Sequence, residues 1–170
     1  MSLDENFENR SGITLISSNG ISFLIGKREC EMSGLLQNMI ENDKEATSFF
    51  LENIKPQTLS KIVLYLQYRF INPPTPIEKP LRSNKMEDIV DGWDAFFIDV
   101  RDDELFDLIL ASNYMNIPSL LDLSCAKVAT YMKGKSAEQI RQRFNIENDL
   151  TEAEVNAIKE ENKWALESDH

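Results

Sequence analysis

Histidine is almost missing from this chain: there is one in 170 residues, His170. A Ser–His or Cys–His nucleophile pair and a histidine-built metal centre therefore lack their base or ligand. Cysteine is nearly as scarce. Cys30 and Cys125 lie far apart, match no metal-ligand spacing, and suit a reducing, intracellular setting. No apolar run approaches the roughly 18 residues of a membrane span. The opening MSLDENFENR is acidic where a signal peptide needs a basic start and an apolar stretch, so none is expected. The six glycines form no phosphate-cradling loop, and SSNG reads as a turn. Positive charge is also short. Eighteen Lys and Arg against 29 Asp and Glu give a net charge of −11, which repels phosphate backbones and anionic lipid. We expect no cofactor, no metal, no nucleic acid and no membrane partner.

The carboxylate pairs Asp102-Asp103 and Glu160-Glu161 do not supply the missing chemistry. Helix neighbours point about 100° apart, so each pair reads as solvated surface. A basic cluster around Gly134 (Lys133, Lys135, Arg141, Arg143) reads as a solubilising helix end. Catalysis has no candidate residue here.

What is present is a soluble globular composition, 42% hydrophobic and 28% charged. Residues 12–18 (GITLISS) and 21–25 (ISFLI) read as strands around Asn19-Gly20, the dipeptide that type I′ hairpin turns favour. Ser33 can cap a helix carrying Leu35, Leu36, Met39 and Ile40. Residues 48–52 (SFFLE) suit a buried strand. Pro56 stands where a helix begins, and Leu59, Ile62, Val63, Leu66 and Phe70 follow at helical spacing. Four of the six prolines fall within positions 73–80, so 72–85 is expected to be an exposed loop. From Glu87 onward the pattern is helical, with WDAFFIDV closing one helix. The next starts at Asp102 or Asp103, and its apolar residues cover most of the circumference, which predicts a helix enclosed by its neighbours. Pro118 opens another, ended by Gly134. Ser136 with Gln139, and Thr151 with Glu154, are capping boxes that mark helices near 136–144 and 151–166. Strands in front and helices behind make an α+β chain.

The last helix offers a thin apolar stripe: Val155, Ile158, Trp164 and Ala165. Burying one such side chain gives about 1.5–3 kcal/mol, while ordering each residue costs about 1–2 kcal/mol. A helix this polar needs a groove or a partner to complete it. The helix at 118–132 has apolar residues on more than one face, so one face can pack inward while another meets a partner.

The second half, from Trp93-Asp94 through Leu105–Ala129, Gly134–Asp149, Thr151–Glu154 and Glu161-Asn162-Lys163-Trp164, resembles the Skp family of F-box adaptors with no gap from Trp93 to Trp164. The family pattern is a Trp-Asp, a LxxLILAxNYLxIxxLLDLxCxxVA core, GKxxEEIRxxFNIxNDxTxEEE and a final ENxW. The first half is similar but more divergent, most of all at Gly26–Gly34. The resemblance spans about Gly12 to Glu167. Leu150 stands where many members have Phe. Glu152 stands where some unicellular relatives carry a modified proline.

The resemblance implies a BTB/POZ-like domain over 11–132, with a small three-stranded sheet and the proline-rich loop at 72–85. A C-terminal two-helix F-box-binding extension would follow over 133–166, with flexible ends at 1–10 and 167–170. It implies an adaptor, not an enzyme, that bridges F-box substrate receptors to a cullin, with a RING protein in the assembly, for protein ubiquitination in cytoplasm and nucleus. The implied F-box contacts are Leu121, Cys125, Val128, Met132, Ile140, Phe144, Ile146, Asn148, Asp149, Leu150, Asn162 and Trp164. The implied cullin contacts are Asn113 and Tyr114. A weak homodimer of the free chain is a further expectation. The alternatives are an elongin C-like adaptor, against which the extension argues, and an F-box-dependent scaffold outside ubiquitination.

Overall fold

The computed structural model of the protein describes residues 12–163. Strands β1 (Gly12–Ser17), β2 (Ser22–Gly26) and β3 (Ser48–Leu51) form one sheet in the order β2-β1-β3, antiparallel on one side of β1 and parallel on the other. Alternation puts Ile13, Leu15 and Ser17 of β1, Ile25 of β2 and Phe49 and Leu51 of β3 in the core. Thr14, Leu24 and Phe50 therefore face outward, with Leu24 and Phe50 exposed.

The hairpin differs from the Asn-Gly expectation. Only Gly20 is left-handed (φ 86°), whereas a type I′ turn needs both central residues there. Gly20 N–H donates to Ser17 O at 2.9 Å, and Ser17 N–H donates to Ile21 O at 2.9 Å. The loop thus has three residues, and β2 begins at Ser22 rather than Ile21.

Two helices follow, α1 (Lys27–Cys30) and α2 (Gly34–Asn42). Ser33 caps α2 as expected: its Oγ accepts from Leu36 N–H and donates to Met115 O at 2.6 Å. Gly34 N–H donates to Asn116 O (2.9 Å) and Leu35 N–H to Met115 O (3.1 Å). A β-carbon at position 34 would press into the Asn116 side chain, so any larger residue there must displace that side chain.

Helix α3 (Pro56–Ile71) starts at the expected proline and buries Leu59, Ile62, Val63, Tyr65 and Leu66. The proline-rich segment forms neither helix nor strand, as expected. It is not free, because Ile77 and Leu81 pack against the core and Lys79 bridges to Asp122 at 3.0 Å.

The stretch from Glu87 is not one helix. A 3-10 turn (Met86–Asp88) is followed by a short α4 (Gly92–Phe97), because Asp91 restarts the chain by accepting Asp94 N–H at 2.9 Å. A buried ion pair locks α3 to α4. The Arg69 side chain is 2% exposed; it donates to Asp94 (3.1 Å), to Asp91 (2.7 Å) and to Asn72 O (3.1 Å). Burial pushes the Asp94 carboxyl up, and Arg69 works against that shift. Trp93 stacks on Tyr68 at 3.8 Å and on Phe97 at 4.9 Å beside the pair.

Helices α5 (Asp102–Tyr114) and α6 (Pro118–Met132) pack on one another, and α5 packs on α3. The joint between α5 and α6 is closed by Asn116 (φ 50°) and by Ile117 N–H donating to Ser112 O at 2.9 Å. Enclosure of α5 was the wrong expectation. Leu105, Leu108 and Ala111 are buried, but Phe106 and Leu110 are 41% and 69% exposed.

The chain divides into two compact units, Met1–Lys133 and Gly134–His170. The second holds α7 (Ala137–Phe144) and α8 (Glu152–Glu161), both with complete capping boxes. Residues 164–170 of the expected 151–166 helix and of the flexible end, and residues 1–11, lie outside the described residues.

Candidate docking surfaces

Helix α6 is anchored from one side. Leu120, Leu123, Ala126 and Thr130 are buried, and Lys127 reaches Asp99 at 3.0 Å. Its other side carries Leu121, Cys125, Val128 and Met132, spaced i, i+4, i+7 and i+11 along one face. Leu121 and Val128 are half-buried, Cys125 is exposed, and Met132 is 43% exposed. Burial raises the Cys125 thiol, and the Asp122 carboxylate adds to the shift. A neutral thiol suits contact rather than reactivity. The buried Cys30 thiol is pushed up to about 12, mainly by burial, and is likewise inert.

The second unit contains a groove of about 530 Å³. Ile146, Asn148 and Leu150 line it together with Val155 of α8, while Arg141 and Lys159 supply charge. The groove exists because α7 stops at Asn145 (φ 51°), and Ile146 N–H turns back to Arg141 O at 2.8 Å. Ile140 and Phe144 are half-buried, and Asp149 is exposed. Asn162 is exposed and donates to Ile158 O at 2.8 Å. Trp164 lies outside the described residues. The sequence singles out Val155 in the thin apolar stripe, but it reads Arg141 as a solubilising helix end and does not single out Lys159. Their signal was present in the polar, thinly apolar pattern of both helices.

On α5, Tyr114 is 46% exposed and Asn113 is exposed. Phe106 and Leu110 precede Tyr114 at i−8 and i−4, so the three share one partly exposed face. The sequence assigns Tyr114 to a contact surface but expects Phe106 and Leu110 to be enclosed. Leu110 and Tyr114 border a cleft of about 200 Å³ with Ile54 and Thr58, and Lys55 pairs with Asp107 across it at 2.7 Å. Among the described residues, no three His, Cys, Asp or Glu side chains group to hold a metal ion. Among the described residues, no helix is long and apolar enough to cross a membrane.

A three-stranded mixed sheet backed by helices, with partly exposed apolar side chains on α5 and α6, makes an α+β fold whose surface suits contact with another protein. Comparison with known proteins identifies the fold as that of a POZ domain. The tetramerisation domain of the Skp1 family matches residues 11–70, and its dimerisation domain matches residues 118–165. The chain is 41% identical to an S-phase kinase-associated protein 1 homolog of Tetrahymena thermophila, over 92% of this chain and 95% of that protein. It is 39% identical to SKP1-like protein 11 of Arabidopsis thaliana, over 91% and 97%. It is 37% identical to the E3 ubiquitin ligase complex SCF subunit sconC of Arthroderma otae, over 91% and 94%. The chain belongs to the Skp1 family.

Proposed function

We propose that this chain is the non-catalytic adaptor of an SCF-type ubiquitin ligase, holding an F-box substrate receptor on one surface and a cullin on another. The observation that carries the reading is the pair of partly exposed apolar stripes on α5 and α6 in a member of a family that includes an SCF subunit. Leu121, Cys125, Val128 and Met132 of α6 supply one F-box contact. Ile140, Phe144, Ile146, Asn148, Asp149, Leu150, Asn162 and Trp164 of the extension supply the rest. Apolar side chains there interlock with partner helices, and the Asn and Asp groups fix register. Asn113 and Tyr114 meet the cullin, flanked by Phe106 and Leu110. A tyrosine in that place buries its ring and keeps its hydroxyl bonded. The catalytic gain belongs to the assembly and comes from proximity. Such a subunit works in cytoplasm and nucleus.

The test is copurification of the full chain with an F-box protein and a cullin from the same source. Asn113→Lys with Tyr114→Lys should cost at least about 2 kcal/mol of cullin affinity, roughly 30-fold, and leave F-box binding intact. A version ending at Gly134 should lose the F-box protein. Retained cullin binding in the double variant would refute the α5 assignment, and a full chain that captures no F-box protein would refute the adaptor reading.

A further inference from the structure

The proline loop and the start of α6 enclose a cleft that the adaptor reading leaves unused. Pro74, Pro76 and Ile77 form its loop wall, and Pro118, Ser119 and Leu123 its helix wall. Its volume is about 280 Å³. That falls just under the roughly 300–1,000 Å³ of sites for whole small molecules, and it fits one large side chain. Two carboxylates also border it, and neither offers free charge: Asp94 is taken by Arg69, and Asp122 by Lys79 at 3.0 Å. What the cleft can give a guest is apolar contact.

The cleft is preformed. Ile77 and Leu81 pin the loop to the core, the Lys79–Asp122 surface bridge links it to α6, and Arg69 holds its first residue through Asn72 O. It is also continuous with the α6 stripe. Pro118 precedes Leu121 by three residues, and Asp122 precedes Cys125 by three, so each pair shares a helix face.

We infer that this cleft is an accessory subsite for an apolar side chain from the segment that adjoins the F-box of a bound partner. The inference rests on the adaptor reading above and extends the α6 surface past the N-terminal end of that helix. It makes the loop a determinant of which F-box proteins bind well.

The experiment compares two forms of one F-box protein whose flanks carry Leu or Phe, the F-box alone and the F-box with about 20 residues on each side, titrated calorimetrically into the full chain. Burying one such side chain predicts roughly tenfold or more tighter binding of the longer form. Thr75→Trp, which fills the cleft from an exposed loop position, and Ile77→Asp should each bring the ratio of the two affinities close to one. Thermal melting of each variant checks its fold, and Thr75→Trp stands if Ile77→Asp unfolds. A ratio near one in the unsubstituted chain, or a ratio that survives Thr75→Trp, overturns the subsite. Failure of the F-box alone to bind the unsubstituted chain overturns instead the adaptor reading, and the subsite with it.

Discussion

Replacing Arg69 with Met should destabilise the first unit by about 3–5 kcal/mol, the cost of removing one partner from a buried ion pair. The magnitude follows from the surroundings. The Arg69 and Asp94 side chains are 2% and 6% exposed, so water cannot replace the lost guanidinium. Asn72 O and Asp91 lose a donor in the same step. Methionine keeps most of the volume beside Trp93 and Tyr68, which separates the electrostatic loss from a cavity. Urea unfolding at pH 7 measures the deficit. Its pH dependence identifies the cause. Burial already holds the Asp94 carboxyl above its usual value against the pull of Arg69, and without Arg69 it rises further. A raised folded-state pKa gives stability that is present below the unfolded value, about 4, and is lost as pH rises through the folded value. The deficit should therefore shrink on acidification from pH 7 towards pH 4. The double variant Arg69→Met with Asp94→Leu should recover much of the loss, because no charge is then stranded. A loss below about 1 kcal/mol, a deficit flat with pH, or a double variant no better than the single would each refute the reasoning.

Gly34→Ala should cost about 1–3 kcal/mol, the range for overpacking, since the added carbon meets Asn116 at the joint of α5 and α6. A thermal melt unchanged within 0.5 °C would show that the side chain simply moves aside. Thr151→Ala removes the hydroxyl that accepts Glu154 N–H and one half of the capping box, and should cost about 0.5–2 kcal/mol of α8 stability. Hydrogen exchange of residues 152–161 reads this directly, and unchanged protection would count against it.

Much of the framework was legible from single residues whose physics is local. Ser33, Pro56, Ser136 and Thr151 each mark a helix start, because caps and N1 prolines act within one turn. Three features were not legible, each for a non-local reason. The Asn19-Gly20 turn depends on strand register, which places Ile16 opposite Ser22 and leaves three residues in the loop. The Arg69–Asp94 pair joins two charges that read separately as surface. On α5 the pattern showed how much of the helix is apolar but not whether its own chain covers each face; Leu108 and Leu110 look alike in sequence, yet one is buried and the other 69% exposed. The same ambiguity governs the docking surfaces, whose apolar residues announce contact without naming what makes it.

The bond from Ser33 Oγ to Met115 O spans 82 positions of chain. Three hydrogen bonds at that one joint tie the entry of α2 to the end of α5, while β1 waits for β3 across the hairpin and two helices. Neither end of this staple is satisfied until residue 116 has left the ribosome. At about 5–20 residues per second, the entry of α2 spends at least about 4 seconds without its partner. One family domain matches residues 11–70, yet the first unit also takes in α6 from the segment matched by the other domain. The core of the first unit thus closes only when α6 appears and buries Leu120, Leu123 and Ala126.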